Sequence, residues 1–111
     1  MDGFREGKLL RIFVDEHDRI GLSPTYVAIV EFLRARGVAG ATVFRGIEGF
    51  GGHGQVQVAS VFRWQPNLPV LIEVIDDFAT IEPLLPELHA MMGEGLLTLE
   101  AARYLRVGPK N

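Results

Sequence analysis

No cysteine occurs among the 111 residues, so disulfides and thiolate metal sites are excluded, which fits a reducing compartment. Basic residues are in the minority, 11 lysines and arginines against 14 aspartates and glutamates. The resulting net charge of −3 speaks against a nucleic-acid binder, which carries a basic face. No apolar run reaches the roughly 20 residues that a membrane-spanning helix needs, and no basic, apolar, cleavable leader opens the chain. A soluble cytoplasmic protein is expected. Catalytic inventory is thin as well. Ser23 and Ser60 are the only serines, and His17, His53 and His89 lie far apart. Glu48 and Glu73 form no evident pair, so neither a triad nor a carboxylate dyad is specified. No catalytic residue and no metal site are assigned.

What is present is apolar patterning. Hydrophobic residues make up 48% of the chain, enough for the core of one domain over 1–111, with 1–7 and 108–111 expected to fray. Lys8 to Val14 alternates, with Leu10, Ile12 and Val14 on one face and Leu9, Arg11 and Phe13 on the other. Asp15-Glu16-His17-Asp18 follows. It reads as a solvated strand-to-helix loop in preference to a metal cluster, which would need distant partners. Ser23-Pro24 reads as a helix start, with serine as cap and proline in the first helical position. The helix is expected over Pro24 to Arg36, with Val27, Val30 and Leu33 on one apolar face, Tyr26, Ile29 and Phe32 adjoining it, and Gly37 as its left-handed stop.

Gly40 to Arg45 reads as a second strand, Gln55 to Trp64 as a third, half-buried one, and Val70 to Ile75 as a central strand. Asp76, Asp77 and Thr80 are candidate caps for a second helix carrying Ile81, Leu84, Leu85, Leu88, Met91 and Met92. Pro83 is tolerable in its first turn, whereas Pro86 should kink it. Leu96 to Val107 reads as the last strand. The order of elements predicts an α+β fold, a ferredoxin-like split βαβ sandwich with two helices on one face of an antiparallel sheet and an extra strand or hairpin. The other sheet face would carry Leu9, Phe13, Leu71 and Ile75 with nothing to cover it. An exposed apolar face of that kind predicts an oligomer.

Between the second and third strands lies Arg45-Gly46-Ile47-Glu48-Gly49-Phe50-Gly51-Gly52-His53-Gly54, five glycines in nine residues from Gly46 on. Gly49 to Gly54 formally matches G-x-G-x-x-G. A dinucleotide fold requires a helix to begin there, and here a strand is expected, so that reading fails. A Walker loop fails for want of a Gly-Lys-Ser/Thr. Backbone N–H groups in such a loop can still form an anion-binding nest, with Arg45 at its base able to grip a phosphate. The alternative is a mobile tip beside a solvated arginine, and pattern alone leaves both open. His53 reads as a loop residue ahead of a general base.

The run Arg45-Gly46-Ile47-Glu48-Gly49-Phe50-Gly51, together with Gly7-Lys8-Leu9-Leu10-Arg11-Ile12, Ala39 to Val43 and Leu68-Pro69-Val70 leading into Ile72-Glu73, resembles the PII-like superfamily. The likeness is greatest to its branch known only as a PII-like domain of unknown function. It extends in register to the PII signalling proteins through Arg45-Gly46, Gly52-His53 and Leu68-Pro69. Gly93-Glu94-Gly95 is similar to the Gly-Asp-Gly of the PII B-loop. The resemblance implies a homotrimer whose sheets face the threefold axis, with a small anionic effector, an adenine nucleotide in the family, in the clefts between subunits. It implies ligand-binding roles for Arg45, Gly46, Gly49 and Gly51 at the base of the T-loop, for Gly93, Glu94 and Gly95 in the B-loop, and for Arg103 and Arg106 near the C-terminus. It implies a regulatory protein, not an enzyme, acting on a partner such as a membrane transporter or channel.

Two departures bear on this. Leu96 stands where PII proteins carry a phosphate-contacting lysine, which argues against a triphosphate. The segment around Gln57 has no tyrosine, so the PII uridylylation site is missing. Two other functions stay open at this level. One is a small enzyme acting on a phosphate-containing ligand through His53 and Glu48. The other is a ligand-free structural trimer that docks a protein partner.

Overall fold

The computed structural model describes residues 1–52, 54–59 and 66–109. In chain order these form β1 (Arg5–Asp15), a small hairpin of β2 (Arg19–Ile20) and β3 (Ser23–Pro24), α1 (Thr25–Ala35), β4 (Thr42–Arg45), a second small hairpin of β5 (Glu48–Gly49) and β6 (Gln57–Val58), β7 (Pro69–Asp76), α2 (Phe78–Ile81), a 3-10 turn (Glu82–Leu84), α3 (Leu85–Met91) and β8 (Leu96–Tyr104). The main sheet runs β4-β7-β1-β8 and all its pairs are antiparallel. This is the strand order of a split βαβ sandwich.

Alternation along β1 and β7 decides which face is covered. Leu10, Ile12 and Val14 are buried together with Val70, Ile72 and Val74, against Ile29 and Leu33 of α1 and Ile81, Leu84 and Leu88 of the second helical segment. The inward face of α1 is therefore centred on Ile29 and Leu33, and Val27, expected on the apolar face, is exposed. The helix ends as its sequence predicts. Gly37 has φ +82°, its N–H donates to Arg34 O at 3.2 Å, and that of Val38 donates to Leu33 O at 3.2 Å. These two bonds satisfy carbonyls that the last turn would otherwise leave open.

Its start differs from the expectation. Ser23 and Pro24 pair with Ile20 and Arg19, Pro24 is the N-cap, and no side chain caps the helix. The backbone N–H of Thr25 donates instead to Asp18 O at 2.8 Å. The caps expected for the second helix are otherwise engaged too. The carboxylate of Asp76 accepts from the N–H groups of Asp77 at 2.8 Å and Ala39 at 3.0 Å. Asp77 does stand at the N-cap of α2, but its carboxylate is held by Arg5 and Tyr104 and makes no cap bond. Thr80 lies inside α2. The second helix breaks into three pieces around its prolines. Pro86 has no N–H to give and its ring crowds the carbonyl four residues back, at Glu82, where the chain tightens to 3-10 geometry.

Strand lengths also shift. β1 begins at Arg5, so Arg5, Glu6 and Gly7 pair with Tyr104, Arg103 and Ala102, while β8 stops at Tyr104, short of Val107. Of the strand expected over Gln55 to Trp64, the described part pairs at Gln57 and Val58, with Gly49 and Glu48. Residues 60–65 lie outside the described ones.

Among the described residues no helix covers the second face of the sheet. Its registers align Phe44, Leu71, Phe13 and Leu96 in one row across all four strands. Beside it run Thr42, Glu73, Arg11 and Thr98, then Ile75, Leu9 and Glu100. Phe44, Ile75 and Leu96 are exposed. Arg11 donates through Nε to Glu73 at 2.9 Å and pairs with Glu100 through Nη1. Both carboxylates, with the Glu73 hydrogen bond as the largest influence, raise the pKa of its guanidinium further. Among the described residues no helix is long and apolar enough to cross a membrane.

Candidate ligand cleft

At the C-terminal end of β1 the sheet opens into a cleft of about 410 Å³, within the roughly 300–1,000 Å³ typical of small-molecule sites. Three stretches converge on it. Gly49, Phe50, Gly51 and Gly52 come from the end of β5 and the loop after it, Glu94, Gly95 and Leu96 from the turn into β8, and Phe13, Val14, Asp15 and Asp18 from the end of β1 and the loop after it. Gln55, Gln57, Asn67 and Pro69 complete the wall.

The glycines make this convergence possible by their lack of a side chain. A Cβ on Gly46 would lie 2.7 Å from Pro69 Cγ, and one on Gly49 would lie 2.9 Å from it, so the loop base lies flat on the Leu-Pro segment that opens β7. Gly52 comes so close to the Glu94 carboxylate that a Cβ would overlap Oε1. Gly95 adopts φ +146°, a conformation that L side chains rarely take, and an added Cβ would overlap Phe13 O. Gly51 and Gly93 have open space around them.

Of the residues expected in the site, the structure thus brings together Gly49, Gly51, Glu94 and Gly95, with Gly46 beneath them. Gly93 sits in the same turn without lining the cleft. Arg45 lies outside it. Facing Val70 across the β4–β7 pair, it projects toward the helical side and donates to Glu16, Nε to Oε2 at 2.6 Å and Nη2 to Oε1 at 3.3 Å. Arg103 and Arg106 stand at the far end of the sheet. Tyr104 pairs with Arg5 and Leu96 with Phe13, so within one chain these arginines are roughly 30 Å from the cleft at strand rise. Arg103 pairs with Glu6 at 3.2 Å and lies over the Phe4 ring, while Arg106 is 3.8 Å from Asp76 and over Tyr104. His53 lies outside the described residues, and Glu48 is exposed in β5.

Asp15, Asp18, Gly52, Gln55, Gln57 and Asn67 are cleft residues that pattern alone did not single out as such. Asp18 is held by its own loop, its carboxylate accepting from the Asp15 N–H at 3.0 Å. The two glutamines alternate as an exposed strand face would, and nothing local marks them as pointing into a cleft. Gly52 carried a signal, since it lies inside the same glycine run. Among the described residues that line the cleft there are three carboxylates, Asp15, Asp18 and Glu94, and no lysine or arginine.

At the opposite end of the sheet Asp77 accepts from Arg5 Nε at 3.2 Å and from the Tyr104 hydroxyl. The Arg5 guanidinium, foremost, and then the Tyr104 hydroxyl hold the Asp77 carboxyl below the usual carboxylate range, and Asp77 in turn raises Arg5. Lys8 lies 5.6 Å from the centroid of the Phe78 ring. This end is therefore rich in cations and aromatic rings, whereas the cleft end is acidic.

A sandwich of this strand order, with a hairpin rising from the glycine loop, is the fold of the PII-like proteins. Two solved structures carry it over nearly their whole length. CPII, a nitrogen regulatory PII-like protein from Thiomonas intermedia K12 bound to ADP, AMP and bicarbonate, superposes with a TM-score of 0.67 at 17% identity, covering 91% of this chain and 97% of that one. A candidate PII-like signaling protein from Thermus thermophilus does so with a TM-score of 0.67 at 20% identity, covering 95% and 94%. At these identities the likeness speaks for the fold. In sequence, residues 7–104 match the DUF190 model, described as an uncharacterized ACR. A UPF0166 protein from Aquifex aeolicus is 39% identical over 93 residues, 84% of this chain and 88% of that protein. Another from Methanocaldococcus jannaschii is 35% identical over 95 residues, 85% and 87%. The chain belongs to the DUF190 (UPF0166) family.

Proposed function

We propose that this chain is a PII-like regulatory protein that binds a small anionic ligand, an adenine nucleotide, in the cleft between the glycine loop and the Gly93–Gly95 turn. One observation carries the reading. Two glycine-bearing stretches more than forty residues apart in sequence, both given ligand contacts by the PII-like resemblance, close within one chain on a cleft of about 410 Å³. ADP and AMP in CPII support the choice of nucleotide.

The charge distribution supports an assembly. With no lysine or arginine in the described lining, a phosphate must find its cations elsewhere. Arg103 and Arg106 lie too far away in the same chain, but a neighbouring copy could bring them in if they exchange Glu6 and Asp76 for the phosphate. A cyclic homotrimer would set the basic end of one copy against the acidic cleft of the next, and would cover the apolar rows of the open sheet face. Ligand would order the glycine loop and change what a partner protein meets there, a membrane transporter or channel being the class we expect. This reading makes the chain a single cytoplasmic domain that binds without turnover.

A thermal-shift titration with AMP, ADP and ATP, alongside a mass measurement in solution, tests it. A trimer whose melting temperature rises with ADP or AMP is expected, because a ligand that binds only the native state must stabilise it. A monomer at micromolar concentration with no shift from any of the three contradicts both the site and the assembly.

A further inference from the structure

The ion pair between Arg45 and Glu16 has a place in the fold that its exposure alone does not suggest. Arg45 ends β4 and Glu16 follows β1, and β7 lies between those two strands. The pair therefore spans two strand spacings, roughly 10 Å of backbone separation, over the first residues of β7. On one side it holds the residue from which the glycine loop departs. On the other it holds the segment that carries Asp15 and Asp18 into the cleft.

From this we infer that Arg45 and Glu16 are positioning residues, a latch that sets the separation of the two cleft walls without touching the ligand. The inference rests on the proposed ligand cleft. Arg45 uses two guanidinium nitrogens on the two carboxylate oxygens, the geometry in which an exposed pair counts most. Glu16 is itself anchored, its N–H donating to Leu68 O at 2.9 Å. The next N–H, of His17, donates to Asn67 Oδ1 at 2.9 Å, and the Asn67 N–H donates to Gln57 Oε1 at 3.0 Å. Asn67 and Gln57 both line the cleft. On the Arg45 side the N–H of Gly46 donates to Pro69 O at 2.7 Å. The latch is thus continuous by hydrogen bonds with both walls, and the register that turns Arg45 away from the site brings its fork to Glu16.

The test is amide hydrogen exchange in residues 46–52 of the unliganded protein, in wild type, Arg45→Gln, Glu16→Gln and the swap Arg45→Glu with Glu16→Arg. Each single change should speed exchange there roughly two- to five-fold. The swap should return it toward the wild-type rate. Raising salt from about 0.05 M to about 1 M should erase the difference between wild type and the single variants, since screening weakens the pair itself. ADP affinity should fall by the same factor in the single variants. Unchanged exchange in both single variants overturns the latch, as does an increase that neither the swap nor salt alters, which would mark a packing effect. The exchange arm needs no ligand, so a wild-type protein that does not bind ADP contradicts the nucleotide reading and leaves exchange to decide this one.

Discussion

Arg11 on β1 donates to Glu73 on β7 at 2.9 Å in the middle of the sheet face that no helix covers, with Glu100 of β8 on its other side. In a lone chain this is a half-exposed pair of little consequence. Between copies it would be a desolvated triad, and removing its one cation would leave two carboxylates facing each other. Arg11→Ala is expected to weaken self-association by more than about tenfold, read by sedimentation over a concentration series, while leaving the secondary structure seen by circular dichroism intact. An association constant equal to that of wild type would mean that this face lies outside the interface.

The core makes a prediction independent of ligand. Ile72 is fully buried among β1, β7 and the helices. Ile72→Val should cost about 0.5–1.5 kcal/mol and Ile72→Ala about 2–5 kcal/mol in urea unfolding. Leu71→Ala, next along the strand but on the open face, should cost less in the dissociated chain. It should approach the cost of Ile72→Ala only where the oligomer is populated.

Gly93 and Gly95 share one turn but should not respond alike. Gly95 has φ +146° and an added Cβ would overlap Phe13 O, so Gly95→Ala is strained in both conformation and space and should destabilise by more than about 1 kcal/mol. Gly93 has open space around it, and Gly93→Ala should be close to neutral. Equal effects in denaturant unfolding would mean that the turn differs from the geometry described.

At the other end of the sheet, Asp77 gives stability a pH dependence of known sign. Its carboxyl is held below its ordinary value of 3.8 by Arg5 and Tyr104, so the unfolded chain binds the proton first as pH falls. The contribution is present in full above the unfolded value and is lost as pH falls through the lower folded one. Asp77→Asn should flatten stability against pH below about pH 4 and leave the slope near neutral pH unchanged. The same acid slope in wild type and variant would remove Asp77 as its source.

How much of this was legible in the sequence depended on whether the signal was local. Leu10, Ile12 and Val14 announce their face by alternation, Gly37 announces the helix end, and Pro86 announces the break in the second helix, because each acts through its own backbone or period. The resemblance singled out the glycine run and Gly93–Gly95, and the structure brings both stretches to one cleft. Less local features were not. Ser23 and Pro24 fit a helix start, but their pairing with Arg19–Ile20 comes from a hairpin that no periodicity marks. The apolar alternation of Gln55 to Trp64 predicts a long strand, yet in the described part only Gln57 and Val58 pair. The direction of Arg45 follows from its position opposite Val70, and that register is fixed by the whole sheet. The cleft roles of Asp15, Asp18 and Asn67 arise only when β1, β7 and the glycine loop meet.

The central claim is that ligand enters between the glycine loop and the Gly93–Gly95 turn. Amide chemical-shift mapping by NMR, with ADP titrated into the uniformly labelled protein, tests it most directly. The account predicts saturable shifts concentrated at Gly49 to Gly52, Glu94 to Leu96 and the Asp15–Asp18 segment, with a second set at Arg103 and Arg106 arising across the subunit boundary. Shifts confined to other surfaces, or none at millimolar ADP in a protein shown to be folded and trimeric, would contradict it.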